Sequence, residues 1–342
     1  MNAVRKCLVW DLDNTLWDGV CLEGDVRVRP EVVQAITELD RRGILQSIAS
    51  RGDVDLALQA LEQNDLAKFF LAPQINWLPK SKSIIRICKE LRLSCDAMAF
   101  IDDDRFEREQ VSYMLPGVLT LDARFAPELP GLADFSPDDI TPEARNRRKL
   151  YQIDLESTRA EADFASREDF LAACRMRLTV RPMAGQDIPR VLELMTRTHQ
   201  LNTTGMIIDR SDLETLCHGT SDEPRVMVAE LRDRFGEYGI IGVAIAGSAR
   251  PVWTLTSFAV SCRVMGRGIE RAFLAALVRA AYSRGYTHSE AAYRETGQNR
   301  MMRALYQMMG FRVSGHAADP DTLLFRARIE QVPEVPSWVE VE

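Results

Sequence analysis

Three short apolar runs, each ending on a polar residue, constrain this chain more than any other feature. Cys7–Trp10 runs into Asp11, Ile44–Ala49 into Ser50, and Ala97–Ile101 into Asp102. Between them lie apolar residues at helical spacing: Val54, Ala57, Leu58 and Leu61 within 53–68, then Ile84, Ile87, Cys88 and Leu91. Strands alternating with amphipathic helices imply βαβ units and a parallel sheet. Ligands of such sheets bind beyond the carboxyl ends of the strands. Asp11, Ser50 and Asp102 are expected at those ends.

This pattern occupies residues 1–123. Residues 124–142 break it, with Pro127, Pro130, Pro137 and Pro142 set among acidic residues, and read as a linker. Residues 143–175 look helical and charged, so 124–175 is expected to be a Pro-rich linker and helical connector. A second α/β pattern fills 176–330, and 331–342 is expected as a C-terminal tail. There is no internal repeat and no low-complexity tract.

The 342 residues suffice for two domains. Lys plus Arg number 43 against 50 Asp plus Glu, and the net charge of −7 argues against nucleic acid as the main partner. Seven cysteines without a CxxC pair fit a reducing cytosol. The N-terminal segment lacks the apolar core and cleavage site of a signal peptide. Apolar runs such as Ile240–Ala246 are far too short to span a bilayer. The expectation is a cytoplasmic protein with no membrane partner.

Residues 11–15 read Asp-Leu-Asp-Asn-Thr. Alternation puts Asp11 and Asp13 on one side of an extended segment. Two carboxylates so placed suit phosphoryl transfer: one attacks phosphorus, the other protonates the leaving oxygen and then activates water. A phosphate between two carboxylates needs a cation, and Mg²⁺ with oxygen ligands meets that need. Asp102 and Asp103 are candidate ligands. Ser50 can hydrogen-bond a phosphate oxygen. Lys80, in Pro79-Lys80-Ser81, can neutralise phosphate charge and hold Asp11 ionised. The competing reading is a strand end followed by a turn, but four motifs must then coincide.

With these motifs in this order, the N-terminal third resembles the haloacid dehalogenase superfamily. The resemblance implies that Asp11 is the nucleophile and Asp13 the acid/base, whose backbone carbonyl also serves the metal. It makes Ser50 and Lys80 the phosphate clamps and Asp102/Asp103 the acidic metal motif. Thr15, Trp17 and Arg51 are candidate substrate contacts. Some 30 residues separate Ser50 from Lys80, and the stretch from Trp17 to Val26 is also short. Neither place has room for a large cap domain, so an open site that admits a large or carrier-tethered substrate is expected.

In the second half, Trp253–Ser261 reads as a strand. Cys262-Arg-Val-Met-Gly-Arg-Gly268 follows, and Ile269, Phe273, Ala276, Leu277 and Ala280 mark an amphipathic helix. A strand, a Gly-containing loop and a helix N-terminus can form an anion cradle. The order of Arg263, Gly266, Arg267 and Gly268 resembles the pyrophosphate loop of GNAT-type acyltransferases. Asn299, Tyr306 and Gly310-Phe311 resemble the second GNAT signature, in which the tyrosine serves a pantetheine thiol. That resemblance implies a pantetheine arm between splayed strands, carried by coenzyme A or by an acyl carrier protein. The competing reading is a structural helix–strand connection.

The two domains together resemble the FkbH-like glyceryltransferase/phosphatases of polyketide biosynthesis. The matching phrases are Val9-Trp-Asp-Leu-Asp-Asn-Thr-Leu-Trp17, Ile101-Asp-Asp-Asp, Glu107-Arg-Glu-Gln110, Arg197-Thr-His-Gln-Leu-Asn202 and Ser261-Cys-Arg-Val-Met-Gly-Arg-Gly268. The resemblance implies transfer of a glyceryl group from 1,3-bisphosphoglycerate, with loss of phosphate, to an acyl carrier protein thiol. His199 and Leu201 stand where the family pattern has Asn and Phe, so the roles of His199 and Asn202 toward substrate follow less directly. An acyl relay needs a thiolate, and Cys262 and Cys21 are the candidates. Cys88 and Cys174 lie on apolar helical faces. The four histidines lack metal-ligand spacing. Two other functions fit the same features: a Mg²⁺ phosphatase whose second domain only binds a carrier or coenzyme A, and an acetyltransferase fused to a regulatory phosphatase.

Overall fold

The computed structural model describes residues 4–137, 140–218, 225–330 and 335–342. The chain divides into two compact units, Met1–Glu156 and Ser157–Glu342, with the division inside the helix Arg147–Glu161.

The first unit is built on a five-stranded parallel sheet in the order Gln74–Ile75, Leu45–Ser50, Cys7–Trp10, Met98–Asp102, Leu119–Asp122. Every residue of Cys7–Trp10 is buried because both faces of this strand are covered. Leu8 and Trp10 pack with Ile36, Leu39, Ile48 and Leu61. Cys7 and Val9 pack on the opposite face with Ile84, Ile87, Phe100 and Val111. Each such aliphatic side chain contributes about 1.5–3 kcal/mol by leaving water. The Trp10 indole N–H donates to Gln46 Oε1 at 2.6 Å, which meets the hydrogen-bonding need of both buried groups.

Strand order sets the site. From Cys7–Trp10 the chain runs outward through Leu45–Ser50 to Gln74–Ile75, then crosses to Met98–Asp102 on the other side. The order therefore reverses between Cys7–Trp10 and Met98–Asp102. A crevice opens beyond strand ends at such a switch point.

Residues 124–135 are not the expected linker. Ala123–Gly131 forms 3₁₀ turns, and Ala126, Leu129 and Phe135 are wholly buried with Ile36 and Leu39 of the Pro30–Arg41 helix. Pro127 and Pro130 lie within these turns, and the apolar residues between and beside them face inward. Prolines fix φ without demanding exposure, so a proline cluster is compatible with packed 3₁₀ turns as well as with a linker. The connector is also held on this unit: Arg147 donates to Gly43 O at 2.7 Å, and Arg148 pairs with Asp40 at 2.9 Å.

The second unit carries an eight-stranded mixed sheet. Its order is Arg312–His316, Thr322–Arg328, His288–Arg294, Val252–Val260, Gly236–Ala249, Val226–Asp233, Met176–Pro182, Val339–Val341. The last strand corrects the expected tail. Val339 and Val341 alternate with Glu340 and pair in parallel with Met176 and Leu178, covering a sheet edge. Residues 331–334 lie outside the described residues. Val252–Leu255 pairs in parallel with His288–Ala291, and beyond this the two strands separate. The helix Ile269–Ser283 packs Phe273 so closely on Gly242 that a Cβ there would lie 2.9 Å from the ring. Among the described residues no helix is long and apolar enough to cross a membrane.

Candidate active site

Asp11 directly follows the central strand, and its N–H donates to Ile101 O at 3.0 Å, which ties it to the neighbouring strand. Asp102 ends that neighbour. Lys80 opens the helix Lys80–Glu90, whose first turn brings the ammonium between the two carboxylates. Lys80 Nζ stands 2.8 Å from Asp11 Oδ1 and 2.5 Å from Asp102 Oδ2. All three side chains are nearly inaccessible, at 7%, 7% and 0% exposure for Lys80, Asp11 and Asp102. Buried charges persist only when paired in this way.

Thr15 links the strand ends. Its hydroxyl accepts the Asp103 N–H at 3.0 Å and lies 3.5 Å from Asp11 Oδ2 and 3.4 Å from Asp103 Oδ1. Ser50, at the end of its strand, is buried and hydrogen-bonds Asp11. Asn14 adopts φ +56°, a left-handed turn that Asn tolerates, and this reverses the chain after Asp13. Asp13 Oδ1 accepts the Trp17 indole N–H at 2.9 Å and the Cys21 N–H at 3.1 Å. Trp17 is itself wholly buried, so it positions Asp13 from beneath.

Carboxylate oxygens of Asp11, Asp102 and Asp103 lie within 4.8 Å of one another. The side chain of Asp13 is not in this group. Burial pushes the Asp11 carboxyl above its usual range, against the opposing pull of Lys80 and Ser50. Burial, reinforced by the Asp11 charge, pushes Asp102 up to about 7 despite Lys80. Burial alone would lower Lys80, but Asp11 and Asp102 outweigh it and hold the ammonium above its ordinary value. One ammonium facing three carboxylates leaves a negative excess. The hard oxygen donors and this excess fit a Mg²⁺-type cation held by Asp11, Asp102 and Asp103.

That balance sets a pH dependence. Without a cation, between about pH 4 and 7, folded Asp102 keeps a proton that the unfolded chain releases. Its contribution to stability therefore falls as pH rises through this window. A dication would take the proton's place. The gain in Tm on adding Mg²⁺ is expected to be small near pH 5 and large near pH 8. Thermal unfolding with and without Mg²⁺ measures it, and an equal gain at both pH values would put the cation elsewhere.

Beside the carboxylates lies a small cleft lined by residues including Asp13, Cys21, Leu22, Ser50, Arg51 and Leu56. Burial, then the charges of Asp13 and Asp53, push the Cys21 thiol up, which disfavours thiolate. Arg51 is the cation among the described residues lining this cleft. Its guanidinium pairs with Glu107 at 2.9 Å, and the Glu107 side chain is only 5% exposed. Sequence reasoning missed the roles of Glu107 and Arg108. Arg108 donates to the carbonyls of Asp102 and Asp103 at 2.8 Å each and to Asp122 at 2.7 Å, clamping the acidic pair. The Glu107-Arg-Glu-Gln110 phrase was the available signal, but its spacing gives no role.

In the second unit, Cys262 follows the Val252–Val260 strand by two residues and is partly exposed. Arg263 and Arg267 are buried, and Gly266 and Gly268 both adopt φ +78°. Asn299 and Tyr306 are wholly buried. Asn202 is buried too, and its side chain accepts the N–H groups of Thr204 and Gly205 at 3.2 and 2.9 Å. His199 is exposed.

No protein-family model matches the sequence. No curated protein matches it either. Similar solved structures include the ribosomal-protein-S18-alanine N-acetyltransferase of Escherichia coli, 18% identical over 46% of this chain and 97% of that one, with a TM-score of 0.35. PaiA N-acetyltransferase of Thermoplasma acidophilum, solved in complex with coenzyme A, is 11% identical over 44% and 98% of the respective chains, with a TM-score of 0.36. The N-terminal part of BF1531 from Bacteroides fragilis, containing a phosphatase domain complexed with Mg, is 27% identical over 44% of this chain and 40% of that one, with a TM-score of 0.31.

Proposed function

We propose that the first unit is a Mg²⁺-dependent phosphatase of haloacid-dehalogenase type with Asp11 as nucleophile. The observation that carries this reading is the buried Asp11 carboxylate at a strand-order switch, 2.8 Å from Lys80, with Asp102 and Asp103 converging on it. Bound Mg²⁺ supplies positive charge that lets a phosphate dianion approach the carboxylates. An Asp11 oxygen attacks phosphorus, the bond to the leaving oxygen breaks, and Asp13 gives that oxygen a proton. Asp13 then takes a proton from water, whose oxygen attacks phosphorus of the Asp11 acyl phosphate; the Asp11 O–P bond breaks, inorganic phosphate leaves and the free carboxylate is restored. Trp17 and Cys21 N–H hold Asp13 for both steps. The test is phosphate release from phosphoglycerate and p-nitrophenyl phosphate with Mg²⁺ and with chelator. Full activity in excess chelator would end the metal reading.

The sequence resemblance extends this reading to glyceryl transfer from 1,3-bisphosphoglycerate to the phosphopantetheine thiol of an acyl carrier protein. The thiol sulfur bonds to the acyl carbon, the acyl–phosphate bond breaks, and the thiol proton leaves to solvent. The cleft supports it, since only the short Trp17–Asp18 and Arg27–Val28 hairpin stands where a cap would be inserted. Arg51 supports it as well, as a cation suited to a second anionic group. Mass spectrometry of a loaded carrier, incubated with enzyme, Mg²⁺ and bisphosphoglycerate, tests the transfer. Phosphate release without a glyceryl adduct would favour a phosphatase whose second unit only binds a carrier.

Arg51→Ala is expected to raise KM for phosphoglycerate on the order of tenfold, the effect of one lost charge-assisted pair. KM for p-nitrophenyl phosphate, which lacks a carboxylate, should change much less. Equal changes for both substrates would remove Arg51 from substrate recognition.

A further inference from the structure

We infer that the second unit takes no pantetheine arm between its Val252–Val260 and His288–Arg294 strands, because the chain's own Leu201–Thr204 segment occupies that place. An arm lying between separating strands needs a free backbone edge for its amides. It also needs an accessible anion cradle on the loop that follows. The first condition is not met here.

The edge is already paired. Val260 N–H donates to Leu201 O at 2.9 Å, Thr203 N–H to Phe258 O at 3.0 Å, and Phe258 N–H to Thr203 Oγ1 at 3.1 Å. Across the gap, Arg294 N–H donates to Thr203 O at 3.0 Å and its Nε to Thr204 O at 3.1 Å. The segment thus bridges both strands as a short inserted strand. Leu201, Asn202 and Thr203 are 1%, 1% and 0% exposed. Asn299 completes the bridge. Its side-chain N–H₂ donates to Asn202 O at 2.9 Å, Thr203 O at 3.3 Å and Arg294 O at 2.9 Å. The Tyr306 hydroxyl, wholly buried, donates to Ala292 O of the neighbouring strand at 3.4 Å. Removing the segment would strand the buried donors and acceptors that bond to it, each with its desolvation cost.

The loop that follows is packed against other parts of the same unit. Arg167 donates to Gly266 O at 3.0 Å and lies 2.8 Å from where a Gly266 Cβ would stand. Trp338 Nε1–H donates to Arg267 O at 3.0 Å, and Pro336 lies 3.3 Å from the Cβ position of Gly268. The loop arginines turn inward: Arg267 reaches Asp233 at 3.1 Å and the Tyr238 hydroxyl at 2.8 Å, and Arg263 reaches Tyr238 O at 3.5 Å. Asn299 is therefore a positioning residue that latches the inserted segment, and the gap between the two strands is not a coenzyme A site.

Calorimetric titration of the full chain with coenzyme A, paired with hydrogen exchange, tests this independently of the Asp11 chemistry. The wild type should show no saturable heat up to about 1 mM coenzyme A. The Thr203 and Val260 amides should exchange slowly with or without it. Saturable binding accompanied by faster exchange in 199–204 would overturn the inference, as would fast exchange without ligand. Asn299→Ala should speed exchange at Thr203 and Val260 about tenfold or more while leaving phosphate release unchanged. Unchanged exchange in that variant would overturn the latch role. The wild-type measurements decide the inference even where the variant does not fold.

Discussion

Asp11→Asn should lower phosphate release by on the order of 10⁴-fold or more, the loss typical of removing a covalent nucleophile. An amide is close in shape to the carboxylate, so the sheet contact from Asp11 N–H to Ile101 O survives. What disappears is the oxygen assigned to attack on phosphorus in the proposed mechanism, together with one anionic partner of Lys80. The cost to stability should be small, because the substitution also removes a buried charge whose carboxyl is already pushed up by burial. Steady-state phosphate release and thermal unfolding, run on the same preparation, separate the two effects. Substantial turnover in a folded variant would mean that another group attacks. Asp13→Asn makes a useful companion. It leaves the nucleophile in place but removes the group that activates water, so a trapped phosphoenzyme, visible as added mass, is the expected product.

Lys80→Met should combine a large catalytic loss with a pH-dependent stability loss. The ammonium is the charge partner of both Asp11 and Asp102. Removing one member of a buried ion pair costs about 3–5 kcal/mol when the remaining charges stay ionised. They need not stay ionised. Asp102 is already held near 7, and without Lys80 it rises further, because burial and the Asp11 charge are then opposed only by the Asp104 N–H. In chelator the variant should be markedly less stable than wild type near pH 8 and approach it near pH 5, where a proton replaces the lost ammonium. Mg²⁺ should restore part of the stability at the higher pH. Activity should fall on the order of 10²–10³-fold, since a positioned cation that meets developing phosphate charge is lost. A stability loss that does not vary with pH would mean that the three groups are not electrostatically linked.

The sequence by itself determined which side chains converge at the strand ends of the first unit. Apolar runs and helical spacing are local signals, and a parallel sheet of βαβ units puts every strand's carboxyl end on one edge. Asp11, Ser50 and Asp102 could therefore be assigned to one crevice before any distance was known, and Lys80 joined them from the helix it opens. Only the tertiary structure decided how those groups are held. Arg108 clamps the Asp102–Asp103 carbonyls, Glu107 holds Arg51, and Trp17 turns inward to fix Asp13. Such pairs depend on which helix face meets which loop, and their spacing in sequence carries no period. The second unit makes the contrast sharper. Leu201–Thr204 pairs with Phe258 and Val260 more than 50 positions away and fills a gap that the motifs around Gly266 and Asn299 suggested was open. Backbone pairing between distant segments satisfies hydrogen bonds that any sequence can supply, so residue identity did not announce it, whereas burial of both partners in the folded unit made it the stable arrangement.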